Sequence, residues 1–309
     1  MSTPEVTAGA APLLRARRRR YGEDVVKGVL ALFALISVAT TVGIVIALFV
    51  PAFELFSEIS VVDFLTGRTW APLFEPAHFG VLPLISGTLL VTAIASSVAM
   101  PLGLGAAIYM SEYASPRTRG ILKPALELLA GIPTIVFGYF ALTFMTPLLR
   151  DIGIQVDIFN TLSAGLVMGV MLLPTVASLS EDAMGAVPRD LRDGAYALGS
   201  TRVQVATRIV VPAAVSGIIA SFVLAISRAV GETMIVLVAM GQQPNLTFDP
   251  RLAAEAMTAF IAATGAGDVP TGSLEYKTIF AVGATLFVLT LVMNVFAIRL
   301  VRKYREVYE

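Results

Sequence analysis

The sequence has no cysteine and a single histidine, His78. The first absence removes disulfides, thiolate catalysis and cysteine metal sites, and leaves the redox compartment open. The second removes histidine-based metal clusters and triads, so His78 is expected to be an ordinary loop residue and no metal site is expected. Charge is scarce as well, at 14% of 309 residues against 56% hydrophobic. Soluble domains carry about 25% charge, so the main solvent of this chain is lipid. The net charge is zero, which argues against nucleic acid as a partner.

What is abundant is apolar sequence in long runs. A helix needs about 20 apolar residues to cross the hydrocarbon core, and six stretches meet that need: 27–51, 81–111, 122–149, 161–180, 209–240 and 278–300. Backbone groups in lipid must be satisfied within the segment, so these read as helices that Pro101, Pro133, Pro174 and Pro212 kink or locally break. The expected fold class is therefore an all-α integral membrane protein with six transmembrane helices. Gly103, Gly105, Gly165 and Gly169 let helices approach closely; the Gly165 and Gly169 spacing fits packing within one chain better than a dimer signal.

Orientation follows from the basic residues, which concentrate in cytoplasmic loops. An inside N-terminus places 17 of the 22 Lys and Arg in the cytoplasm, among them the run from Arg15 to Arg20 and those at 117–123, 189–208 and 299–305. Only Arg68, Arg150, Arg251 and Lys277 then lie outside, with Arg228 in the membrane. The expected layout is a basic tail over 1–24, a transmembrane region over 25–302 with a cytoplasmic loop at 181–208, and a tail over 303–309, both termini being cytoplasmic. The first apolar run is read as an uncleaved anchor. Two outer loops, about 52–80 and 241–277, are long enough to meet something outside. GDVPTGS at 267–273 has P-loop glycine spacing but Ser273 where lysine is required, so no nucleotide is expected there.

One charged pair interrupts the apolar stretch from Ile209 to Gln243: Arg228 and Glu232, in SRAVGETM at 227–234. A lone arginine at the bilayer centre costs about 2.5–3.5 kcal/mol on insertion scales, so it pairs or faces a polar cavity. On a continuous helix these two positions share a face, which would let them neutralise one another. One reading makes the pair part of an oxyanion pathway, with Gly231 removing bulk and Ser227 and Thr233 as further hydroxyl donors. The other makes it a salt bridge fixing helix packing, or a pair near the interface from which Arg228 snorkels. Glu127 sits four residues after Lys123, and a surface pair between them is expected, with gating as the alternative.

Residues 180–214, SEDAMGAVPRDLRDGAYALGSTRVQVATRIVVPAA, form the most organised connection. Pro188 suits a first helical position, Leu191, Ala195 and Leu198 fall on one face, and Gly199 is placed to end the helix in a left-handed conformation. Thr201 with Gln204 forms a capping box that restarts a helix running into the fifth span. The short helix is either a lipid-surface element or a docking knob for a cytoplasmic partner.

These residues resemble the EAA loop of ABC importer permeases, the binding-protein-dependent inner-membrane components: EAA, three residues, G, nine residues, I, one residue, L, P. Here the pattern reads Asp193, Gly194, Ala195, Gly199, Ile209, Val211, Pro212, with complete spacing and three substitutions. Asp193 keeps the carboxylate and Val211 the apolar character, while Gly194 weakens the helix by about 1 kcal/mol relative to Ala. LELLAGIPTIVFGYFAL at 126–142, which contains Glu127, Gly131 and Pro133, and RAVGETM at 228–234 resemble the phosphate-specific Pst branch and its C-type permease subunit.

The resemblance implies a type I importer fold in a prokaryotic plasma membrane. It further implies a second, A-type permease, two ATP-binding subunits that hold ATP and Mg, and an extracytoplasmic phosphate-binding protein. The EAA loop would seat in the ATPase, and this chain would carry no bond chemistry or cofactor of its own. Arg228 by itself indicates only an oxyanion, and sulfate or molybdate would satisfy the same chemistry. A proton-coupled secondary transporter titrating Glu232 is the rival class; no internal repeat or second intramembrane carboxylate supports it. A membrane enzyme would need an acid/base or nucleophile constellation that the sequence does not supply.

Overall fold

A computed structural model describes residues 21–303; the basic run at 15–20 and the tail after 303 lie outside the described residues. The chain divides into two compact units, residues 1–47 and 48–309. Helix α1 (Tyr21–Glu58) starts in the first and ends in the second. In the described part of the first unit it is an apolar helix with side chains mostly exposed.

In the second unit α3 (Leu82–Ile108) and α7 (Thr161–Gly185) form the central pair. Small residues let their backbones meet. A Cβ on Gly165 would lie 2.6 Å from an Ile94 methyl, and one on Gly169 2.7 Å from Val98 Cβ and 3.0 Å from the Ala95 carbonyl. The glycine spacing thus serves packing within the chain, as expected. Gly169→Val is expected to overpack this contact and cost about 1–3 kcal/mol, read as a lower melting midpoint of the purified assembly; an unchanged midpoint would show that α3 and α7 can separate freely.

Among the described residues, four helices are long and apolar enough to cross a membrane: 23–58, 82–113, 161–185 and 274–299. The other two expected spans are bent pairs. The run 122–149 is divided between α4 (Pro116–Ala130) and the segment Thr134–Asp151, which diverge by 88°. That segment comprises α5 (Thr134–Phe140), a wider π-helical turn over Ala141–Met145, and α6 (Thr146–Asp151). The break falls at Gly131-Ile132-Pro133, where Pro133 has no N–H to continue the ladder. The run 209–240 is interrupted twice. Helix α9 (Arg202–Val205), a π-helical turn (Ala206–Val210) and α10 (Val211–Ala213) bend by 71° at Ala214 into α11 (Val215–Val230). α11 then ends at Gly231, and a further helical turn covers Val236–Met240.

Three apolar clusters hold the bundle. The middle one joins α3, α5, α7 and α11 through residues such as Val91, Phe137, Met168 and Ala225. A second, at the loop end, gathers Leu55, α2 (Val61–Thr66), Leu84, α12 (Met257–Gly265) and α13 (Leu274–Lys303) around Phe64, Trp70 and Phe260. A two-stranded antiparallel ribbon departs from the all-helical expectation there: β1 (Trp70–Ala71) pairs with β2 (His78–Phe79), and His78 is exposed. A third cluster, at the opposite and more basic end, packs Ala107, Met184, Ala195, Val205 and Ile218.

Candidate functional site

Arg228 lies in the last turn of α11. It is exposed, and its Nη1 donates to Thr175 Oγ1 on α7 at 3.2 Å. It does not pair with Glu232. The reason is the break at Gly231: four-residue spacing places two side chains together only on an unbroken helix. Glu232 instead starts the next helical piece, its Oε1 accepting from the Met234 and Ile235 amides at 3.0 and 3.4 Å. That is the work of an N-cap, done with a charged acceptor. Thr258 Oγ1 on α12 also donates to the Glu232 carbonyl at 2.7 Å.

The two expected hydroxyl donors separate. Ser227 Oγ donates to Asn294 Oδ1 on α13 at 2.8 Å, so it ties α11 to α13. Thr233 Oγ1 makes only a long local bond to the Gly231 carbonyl, 3.4 Å, and remains half-buried beside the break. A guanidinium has five N–H donors and Arg228 uses one among the described residues, which leaves a fork open to an oxyanion. The bend at Ala214 also shortens the helix that carries it: counted from Val215 rather than Ile209, Arg228 lies about 20 Å along α11 at 1.5 Å per residue.

The short helix α8 (Arg189–Ala197) forms as its sequence indicates, displaced by one residue: Pro188 is the N-cap and Arg189 opens the helix. Gly199 adopts φ +83°, which terminates it in the left-handed conformation expected. The capping box closes, with Thr201 N–H donating to Gln204 Oε1 at 2.8 Å and Gln204 N–H to Thr201 Oγ1 at 3.4 Å. Of the apolar face only Ala195 is buried. Leu198 is 89% exposed, and Asp193, Gly194 and Tyr196 are exposed beside it. A Cβ at Gly194 would meet nothing, so packing within this chain does not require glycine there. Ile209 is half-buried in the π-helical turn and Pro212 exposed just before the bend.

Arg192, on the side of α8 away from Leu191 and Leu198, holds this helix in place. Arg192 Nη2 pairs with Glu112 Oε1 at 3.1 Å, while its other bonds run to the Val187 and Met184 carbonyls at 2.7 and 2.8 Å. The Glu112 side chain is 4% exposed and also accepts from Ser111 Oγ at 2.8 Å. Glu112 belongs to the helical turn that ends α3, and Met184 to the end of α7. One guanidinium therefore bolts α8 to both central helices.

A second bracket holds α4. Glu181, fully buried, accepts from Arg119 and, at 2.9 Å, from Lys123 Nζ, which reaches Asp182 at 2.8 Å as well. Lys123 thus turns from Glu127, which stays exposed on α4, because two carboxylates on α7 offer it a better site than one neighbour on its own helix. Gly131 caps α4 and Pro133 opens α5, so both lie at the 88° bend. The sequence signal for this bracket was Arg119 and Lys123 at helical spacing facing a Glu-Asp pair, visible only once α4 and α7 are known to touch.

The family described as binding-protein-dependent transport system inner membrane component matches residues 99–306. The chain is 35% identical over 282 residues to a probable ABC transporter permease protein, YqgH, of Bacillus subtilis, covering 90% of this chain and 91% of that one. It is 32% identical over 270 residues to the phosphate transport system permease protein PstC of Mesorhizobium japonicum, covering 80% of each. In fold it is similar to a chain from the crystal structure of a bacterial ABC transporter that imports the acidic polysaccharide alginate. There the TM-score is 0.62 at 18% identity, over 92% of this chain and 99% of the other.

Proposed function

The chain belongs to the family of binding-protein-dependent transport system inner membrane components, and from that premise we propose that it is the C-type permease subunit of an ATP-driven importer for inorganic phosphate. It is a multi-pass membrane protein, and its family works with a partner permease, an ATPase and a binding protein. The observation that carries the anion assignment is the open guanidinium of Arg228, exposed at a helix break with one hydrogen bond among the described residues. The likeness to phosphate permeases supports phosphate over sulfate or molybdate, which the fork would hold equally well.

On this reading the basic end, with α4, α8 and Arg192, faces the cytoplasm, and the ribbon and α12 face outside. The second half of the pathway is an A-type permease laid against Arg228 and Thr175. Beneath α8 lie two ATP-binding subunits, which hold ATP and Mg; Asp193, Gly194, Ala195 and the uncovered Leu198 present to them. Closure of the ATPase dimer moves α8, and the Arg192 bracket passes that motion to α3 and α7 as a rigid body. The bend at Gly131 and Pro133 lets α4 move with α7 while α5 and α6 stay behind, which would make Glu127 part of an inner gate.

Labelled phosphate and sulfate uptake, measured in cells depleted of this subunit, tests the substrate. Phosphate uptake is expected to fall to background while sulfate uptake is unchanged. Loss of sulfate uptake with phosphate retained would replace this reading with the other oxyanion. Activity of the chain alone in proteoliposomes without ATP would replace it with a secondary transporter.

A further inference from the structure

A cavity of about 570 Å³ opens at the loop end, between the turn after β1, residues 242–244, Glu255 and the connection from α12 to α13. Much of its wall is apolar, including Leu73, Phe74 and Val269. Two polar groups in that wall lack a partner among the described residues: the Glu255 carboxylate, which reaches the cavity, and the buried Trp70 indole N–H. Glu255 is 5% exposed and no hydrogen bond or opposite charge among the described residues answers its carboxylate; burial alone pushes its pKa up to about 7. Trp70 is 3% exposed, held edge-on between Phe64 and Phe260 at 5.9 and 5.0 Å, and its Nε1–H finds no acceptor among the described residues.

Glu255 cannot easily swing away to find a partner. A Cβ on Gly87 would lie 2.3 Å from the Glu255 carbonyl oxygen, so the backbone there is pressed against α3, and the amide two residues on donates to Thr88 Oγ1 at 3.0 Å. A buried, unpaired carboxylate is a destabilising feature that a glutamine would remove. The one other charged residue on the wall is Asp268, also acidic. Asp268, together with Glu255 when ionised, repels a phosphate ion, which argues against a place on the anion's path. The cavity suits a cation carried on an alkyl stem: the stem lies along Leu73, Phe74 and Val269, and the head reaches Glu255 beside an aromatic face.

We propose that this cavity receives a lysine or arginine side chain of the soluble extracytoplasmic protein that delivers the ligand, with Glu255 as the buried counter-ion. This rests on the importer reading above. The rim supports a protein occupant: Phe74 is 73% exposed and Leu73 49%, apolar surface that a docked partner would cover.

The experiment uses the reconstituted complex and purified, phosphate-loaded binding protein, and follows ATPase stimulation against binding-protein concentration. Glu255→Gln is expected to raise the half-saturating concentration by about 30-fold or more, with basal and maximal rates unchanged. Asp268→Asn, at the rim, should raise it about two- to three-fold. An unchanged half-saturation in Glu255→Gln, or a lowered maximum alone, overturns the proposal.

Melting without the binding protein shows whether Glu255 is already paired in the complex. A raised carboxyl pKa favours the fold below about 4.5 and loses that contribution progressively as pH rises to about 7, so Glu255→Gln should melt clearly higher than wild type at pH 8 and only slightly higher at pH 5. A lower midpoint at pH 8 would mean that the second permease already supplies the cation, and overturns the proposal. Because the chain has no native cysteine, Phe74→Cys gives a single cross-linking site; a product with the binding protein supports the assignment, and one with the permease partner alone overturns it. A wild-type complex that does not respond to binding protein overturns the importer reading and this proposal with it. A responsive wild type with an unaffected Glu255→Gln overturns this proposal alone.

Discussion

Arg228→Ala is expected to lower phosphate uptake at least 100-fold while the subunit still assembles with its partners. The structure makes these two outcomes separable. Had Arg228 neutralised Glu232, its removal would strand a buried carboxylate and cost several kcal/mol of stability. Glu232 is instead satisfied by the Met234 and Ile235 amides, and among the described residues the group that loses a bond is Thr175 Oγ1, on a half-buried residue. The stability cost should therefore stay near that of an exposed substitution, within about 0.5–1 kcal/mol. The transport cost should be large, because each charge-assisted hydrogen bond to an anion contributes about 1.5–3 kcal/mol and the fork can make two. Arg228→Lys should fall between, retaining the charge and losing the planar fork. Uptake is read from labelled phosphate in proteoliposomes, assembly from the stoichiometry of the purified complex. If Arg228→Ala fails to assemble, the residue belongs to packing and the pathway assignment goes with it.

Glu112→Gln should uncouple the machine, with ATP still hydrolysed at a basal rate but uptake per ATP reduced at least about 10-fold. Glutamine keeps the shape of Glu112 and an Oε1 acceptor but removes its charge, so Arg192 keeps its bonds to the Met184 and Val187 carbonyls while its grip on the end of α3 falls from an ion pair to a neutral hydrogen bond. α8 would then follow the ATPase while moving α7 more than α3. Breaking a pair this buried also destabilises, by about 3–5 kcal/mol when one partner is removed outright. The isosteric change is chosen to keep the protein folded, and a melting curve beside the coupling ratio separates the two effects. Tight coupling retained in Glu112→Gln would show that the contacts of Arg192 to α7 suffice.

Local features were legible in the order of residues. The terminating glycine at 199, the capping box at 201 and 204, and the close glycine contacts at 165 and 169 all form as read, because each depends on neighbours within one turn or on the mere absence of a side chain. What failed were inferences that presume an unbroken helix or a partner within reach along the chain. Arg228 with Glu232 and Lys123 with Glu127 were natural pairs at helical spacing, yet Gly231 breaks the first and α7 outbids Glu127 for the second.

The amino-acid order by itself determined that this chain lives in lipid, where its apolar segments lie and where its short exposed helix begins and ends, since hydropathy and capping are properties of adjacent residues. The tertiary structure decided which of those segments bend, at Gly131–Pro133, Ala214 and Gly231, and which charges meet. Glu112 finds Arg192 across 80 residues and Glu181 finds Arg119 across 62. A buried charge takes the best partner that packing brings near, whatever its distance along the chain.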